Sequence, residues 1–191
     1  LNCDQFSAQN SHCQSHKNAQ TTTPIYISPE NLRRDTIDII KYTINLDITD
    51  FVGQNIKGNT IVRFAPKING QNFLRLDLLK LTIDSIKLGQ GSLSYSYNDT
   101  LLKVSLPTTL NTTDTVDVNV YYHGVPQGDP AGWGGFSFSG NYAYNLGVGF
   151  GAKPHNYGRV WFPCFDNFVE KSLYEFNITT DTLKRAYCNG A

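Results

Sequence analysis

The feature that most constrains this chain is a run of strict alternation. Ile40, Tyr42, Ile44, Leu46 and Ile48 are apolar, and Lys41, Thr43, Asn45, Asp47 and Thr49 between them are polar. Successive side chains of an extended strand point to opposite faces, so this spacing places all the apolar residues on one side. A helix would scatter them around its circumference. The run predicts a half-buried strand with Ile40 on its inner face. The pattern returns at Thr60-Val62-Phe64, Leu74-Leu76-Leu78, Leu93-Tyr95-Tyr97, Leu102-Val104-Leu106 and Val116-Val118-Val120-Tyr122. Between these runs lie Asn69-Gly70, Gly89-Gln90-Gly91, Asn98-Asp99 and Thr112-Thr113-Asp114. Short strands separated by such turn residues every 8–12 residues or so mark antiparallel sandwiches. The expected fold class is all-β, with at most a turn or two of helix between Phe168 and Leu173, and no internal repeat.

Two segments depart from the pattern. From Leu1 to about Pro29 the chain is polar and aperiodic, which leaves no face to bury; residues 1–33 are expected to be a tail or linker and 34–191 an all-β domain. From Gly124 to Gly158 inclusive there are ten Gly, three Pro and seven aromatics. Glycine freedom combined with aromatic bulk brings backbone close to another sheet or to a ligand. The chain has no Met and begins at Leu1 without an apolar leader, so it reads as a processed or excised piece of a longer product. Sixteen basic residues balance 16 acidic ones, and no Lys/Arg run exceeds Arg33-Arg34, which argues against a nucleic-acid partner. No apolar stretch approaches the ~20 residues of a membrane helix. Four Cys in a chain rich in Asn, Thr and Ser fit an extracytoplasmic protein, secreted or periplasmic.

Few residues suggest chemistry on their own. His12 and His16 have the spacing of a zinc helix, but Cys13-Gln14-Ser15 between them provides no Glu to act as base. A solvated tail, with Cys3 and Cys13 free or bridged, is the better reading of that segment, and no metal or other cofactor is expected in this chain. His123 closes a strand as a rim residue. His155, in the loop Lys153-Pro154-His155-Asn156-Tyr157, stands where a scaffold presents polar groups to partners. Asp77, Asp84 and Asp166 occupy strand ends or turns, where solvated or capping roles are the default. No nucleophile elbow, phosphate loop or Cys-x-x-Cys pair occurs.

One stretch is specific. Gly158-Arg159-Val160-Trp161-Phe162-Pro163-Cys164-Phe165-Asp166, followed by Lys171 and a strand at Leu173-Tyr174-Glu175-Phe176, resembles the Arg-x-x-x-Pro-Cys-x-Asp signature of the aminopeptidase N and leukotriene A hydrolase family of zinc metallopeptidases. The strands at Tyr42–Ile48, Gly58–Val62 and Leu76-Asp77, the Gly135-Phe136 pair and the Tyr187-Cys188-Asn189-Gly190 turn resemble that family in the same order, over about residues 34–191. The resemblance implies a saddle-like N-terminal β-domain that packs on a thermolysin-like catalytic domain and walls its peptide groove. The catalytic motifs, and the zinc expected in the parent protein, would then lie in another domain, and the partners would be that domain and the peptide substrate. It further implies a Gln or Glu, five residues before the signature Arg, that meets the substrate amine. Here that position is Pro154, so the role does not transfer. The groove candidates are Gly149, Lys153, Pro154, His155 and Asn156. The signature residues Arg159, Pro163, Cys164, Asp166 and Lys171 are expected to be structural. Pro163 has no amide donor and calls for a bulge or strand edge, bringing Arg159 and Asp166 together as an ion pair, and Cys164 between two Phe reads as a buried thiol. The competing reading is a stand-alone carbohydrate- or peptide-binding sandwich, for which the Tyr, Trp and Gly-aromatic loops would be the tools.

Overall fold

A computed structural model describes residues 36–153, 155–167 and 170–189. The tail with His12, His16, Cys3 and Cys13, the position of Pro154, and Phe168 all lie outside the described residues. The described residues form eleven strands: β1 (Ile37–Asp50), β2 (Asn55–Pro66), β3 (Gln71–Asp77), β4 (Thr82–Leu88), β5 (Gly91–Ser92), β6 (Tyr95–Tyr97), β7 (Leu101–Leu110), β8 (Val116–Gly124), β9 (Gly134–Ser139), β10 (Tyr142–Gly149) and β11 (Leu173–Thr179). Among the described residues the one helical element is a single 3-10 turn at Gly158–Val160, and no helix is long and apolar enough to cross a membrane.

The strands form a six-stranded sheet in the order β11-β1-β2-β8-β4-β5, a three-stranded sheet β3-β7-β6 and a two-stranded sheet β9-β10. All pairs are antiparallel except β1 with β11, which is parallel and pairs Lys41 with Leu173 through Asp47 with Thr179. The alternation explains why one face of each sheet is buried: Ile44 and Leu46 of β1, Val62 and Phe64 of β2, Val118 and Val120 of β8, and Leu74, Leu76, Leu102 and Val104 of the smaller sheet share one core. At ~25 cal/mol per Å² of apolar surface, burying each such side chain stabilises the fold by about 1.5–3 kcal/mol.

The first strand corrects the sequence expectation. Ile39 pairs with Phe64 and Lys41 with Arg63, so Ile40 is an extra residue in a bulge. The bulge resets the alternation, and Ile37 and Ile39 are buried while Ile40 is only partly covered. The outer face of the large sheet is held by cross-strand pairs. Arg63 donates two bonds of 2.8 Å to Asp117, Asn177 donates to Asn45 at 3.0 Å, and Asn59 donates to Asn119 at 2.8 Å.

Candidate functional site: the signature bend and its cleft

Residues 158–166 leave the regular sheets, and several of their backbone groups bond to β3, to the segment that follows it and to a side chain of β1. Asp77, at the end of β3, and Cys164 exchange two backbone bonds of 2.7 and 3.0 Å. The amide of Leu79 donates to the Arg159 carbonyl at 2.7 Å, and the amide of Phe165 donates to the Tyr42 hydroxyl at 2.8 Å. Pro163 stands in irregular chain next to the Asp77–Cys164 bridge. That corrects the expectation of a bulge or strand edge: the missing amide falls where no ladder runs.

Arg159 and Asp166 meet as expected, with Arg159 Nη1 donating to Asp166 Oδ2 at 3.0 Å. Asp166 is not solvated. It is buried, and it also accepts the amides of Gly158 at 3.1 Å and Arg159 at 3.4 Å. Its own amide donates to the Asp77 carboxylate at 3.0 Å, which joins two acids that sequence reading left apart. Burial pushes the Asp166 carboxyl above its ordinary range and Asp77 adds to the rise; Arg159, through its charge and its amide, and the Gly158 amide hold it back. Space at Gly158 is tight, because a Cβ there would lie 3.1 Å from Phe162 Cε1, 3.3 Å from Asp166 Oδ1 and 3.4 Å from Cys164 Sγ. Cys164 is a buried thiol, as its flanking Phe residues imply. Lys171 is exposed and lies outside this cluster.

Beside the bend opens a cleft of about 600 Å³, lined among others by Arg75, Asp77, Asp129, Lys153, Tyr157 and Arg159. Of the described groove candidates, Lys153 lines it and Gly149, His155 and Asn156 do not. His155 hydrogen-bonds back through Nδ1 to the Gly149 carbonyl at 3.2 Å, and the Gly149 amide donates to the His155 carbonyl at 2.9 Å. Asn156 is buried, and its Oδ1 has no hydrogen-bond partner among the described residues. The residue that organises this loop was missed in the sequence. Asp129 is buried and receives the Gly151 amide on both oxygens, at 3.1 and 2.9 Å, and the Ala131 amide at 3.3 Å. Its signal is Asp129-Pro130-Ala131-Gly132, a turn-forming sequence; the contact to Gly151 across 22 positions has no local signature. His123 lies at the sheet rim as expected, 2.8 Å from Asp84.

The side chains around the bend and cleft do not fit zinc. Among the described residues no three His, Cys, Asp or Glu side chains come together to hold a metal ion. Asp77 and Asp166 are engaged with backbone amides and Arg159 rather than converging on an open position.

No protein-family model and no curated protein matches the sequence. The fold does match solved structures. An M1 zinc metallopeptidase from Deinococcus radiodurans aligns with a TM-score of 0.66 and 19% identity over 77% of this chain and 33% of that one. A two-domain M1 zinc metallopeptidase variant bound to L-arginine aligns with a TM-score of 0.67 and 19% identity over 78% and 33%. Leukotriene A4 hydrolase from Saccharomyces cerevisiae gives 0.55 and 15% over 77% and 24%. The all-β chain described here therefore has the fold of one region of M1 zinc metallopeptidases, and it spans about a third of the length of the Deinococcus radiodurans chain.

Proposed function

We propose that this chain is the non-catalytic N-terminal domain of an exported zinc aminopeptidase, packing on a catalytic domain and forming one wall of its peptide groove. The observation that carries the reading is the signature bend. A fold shared with M1 metallopeptidases holds Arg159 and Asp166 in a 3.0 Å ion pair, beside a cleft flanked by the loop that the family resemblance assigns to substrate. The side chains around the bend and cleft do not fit zinc, and in this reading the metal and its water belong to the other domain. This chain would supply shape, charge and hydrogen-bond acceptors at the groove wall. With Pro154 at the position of the usual acceptor, amine recognition falls to backbone carbonyls of the loop and to the catalytic domain.

The test uses the intact parent enzyme with Pro154→Glu, measured as kcat/KM on a short peptide. A charge-assisted contact contributes about 1.5–3 kcal/mol, so kcat/KM should rise roughly ten- to a hundredfold. An unchanged kcat/KM would make the loop scaffold. A parent protein without zinc and without peptidase activity would remove the reading altogether.

A further inference from the structure

Three cations line the cleft beside the bend, Arg75, Lys153 and Arg159, and most of their hydrogen-bonding capacity is unspent. The Arg159 side chain is 20% exposed. A guanidinium carries five N–H donors in one plane. In Arg159 only Nη1 has an acceptor among the described residues, Asp166 Oδ2 at 3.0 Å. The group sits over the Tyr157 ring, 5.2 Å from its centroid, a contact that fixes its position and leaves the other N–H groups to a further partner. Arg75 is held in the same way, 4.7 Å from the centroid of Phe73. Among the described residues no carboxylate or other acceptor reaches the side chains of Arg75 or Lys153.

The acids nearby are already engaged. Asp129 accepts the amides of Gly151 and Ala131, and Asp77 accepts the amide of Asp166. Asp166, the partner of Arg159, accepts two amides as well as the guanidinium. Three cations thus stand against three acids, and net charge does not choose the ligand. Unspent groups do. An incoming ammonium would meet carboxylates that amides already occupy, whereas an incoming carboxylate would meet donors from three side chains. Such charge-assisted bonds are roughly twice as strong as neutral ones. A phosphate dianion would find the same donors but would face three carboxylates, so the cleft matches a monoanion.

We propose that this cleft receives one carboxylate of the ligand, with the free N–H groups of Arg159 as its main donors and Arg75 and Lys153 as flanking cations. The inference rests on the functional reading above and names the class of peptide the groove wall would favour, one that presents an acidic side chain or a free C-terminus there.

Three probes separate those sources. The first is an N-acetylated, C-amidated tripeptide of alanine with a central glutamate; the second has glutamine in its place; the third is the glutamine peptide with a free C-terminal carboxylate. In calorimetric titration of this 191-residue chain, at least one of the two carboxylate peptides should bind roughly ten- to a hundredfold tighter than the neutral one. The peptide that does so identifies the source. Arg159→Lys keeps a cation for Asp166 and removes the planar fork, so it should abolish most of that difference. Should that variant fail to fold, Arg75→Gln/Lys153→Gln, which leaves the ion pair intact, should cut the difference at least roughly threefold. Equal affinities for the three peptides, or no saturable binding of any, would overturn the proposal. So would a preference that the substitutions leave whole, or inorganic phosphate that competes as well as the acidic peptide. Zinc content of the full-length protein and its cleavage of a neutral peptide test the functional reading separately, because the titrations need neither.

Discussion

Tyr42→Phe isolates one hydrogen bond on which the signature bend depends. Tyr42 is fully buried in β1, its ring stacked on Tyr174 at 5.3 Å and edge-on to Phe162 at 5.7 Å. Its hydroxyl accepts the amide of buried Phe165 at 2.8 Å. The substitution keeps the ring and its packing and deletes only the acceptor. Losing the acceptor of a buried amide costs about 1–3 kcal/mol. In a domain of this size each kcal/mol is about 2–4 °C, so the melting temperature should fall by about 2–12 °C. Tyr122 provides the control. Its hydroxyl lies 3.2 Å from that of Thr60, and both residues are fully buried. There the partner is a side chain, so Thr60→Val/Tyr122→Phe deletes both polar groups together and should come out nearly neutral. Urea unfolding at pH 7 reads both variants, as a shift in midpoint at unchanged slope. Burial raises the Tyr42 phenol well above its ordinary 10.0. Its linked stability is therefore fully present below that value and is lost as pH climbs past it and the unfolded chain ionises. The gap between wild type and Tyr42→Phe should hold constant through neutral pH and narrow only in strong alkali. A Tyr42→Phe variant as stable as the double variant would refute the reasoning.

Arg159→Ala leaves the Asp166 carboxylate, 6% exposed, without its cation, and should cost about 3–5 kcal/mol at pH 7 by denaturant midpoint. The folded-state pKa of Asp166 is raised, so the penalty for its ionised form is absent below the unfolded value and grows as pH rises through the folded one; the cost of Arg159→Ala should shrink as pH is lowered toward 4, and a constant cost would show that the charge of Asp166 is not what Arg159 balances. Gly158→Ala, crowded by Phe162, Asp166 and Cys164, should destabilise by about 1–3 kcal/mol. Gly128→Ala, which meets nothing within 4 Å and has no positive φ, should be neutral or slightly stabilising by melting temperature, and equal losses at the two sites would discredit the steric argument.

What was legible in the sequence was whatever is encoded locally. Period-two runs such as Leu102-Val104-Leu106 gave the strands, because facing is fixed by the pleat alone. The Arg159–Asp166 pair was legible because the two residues stand 7 positions apart on one bend. The bulge at Ile40 was not, since it is set by the register against Phe64 and Arg63 rather than by β1 itself. Asp77 bonding to the Asp166 amide spans 89 positions, and nothing near either acid announces the other.

The parallel pairing of β1 with β11 sets a timetable. Its partners stand 132 residues apart. At about 5–20 residues per second a ribosome takes roughly 7–26 s to make that interval. If β1 pairs with β2 as soon as both are made, it offers through that time the open hydrogen-bonding edge of Lys41–Asp47, a template for any other extended chain nearby. Completion of the large sheet waits for Leu173–Thr179, and a nascent chain stalled before Leu173 would leave that edge bare.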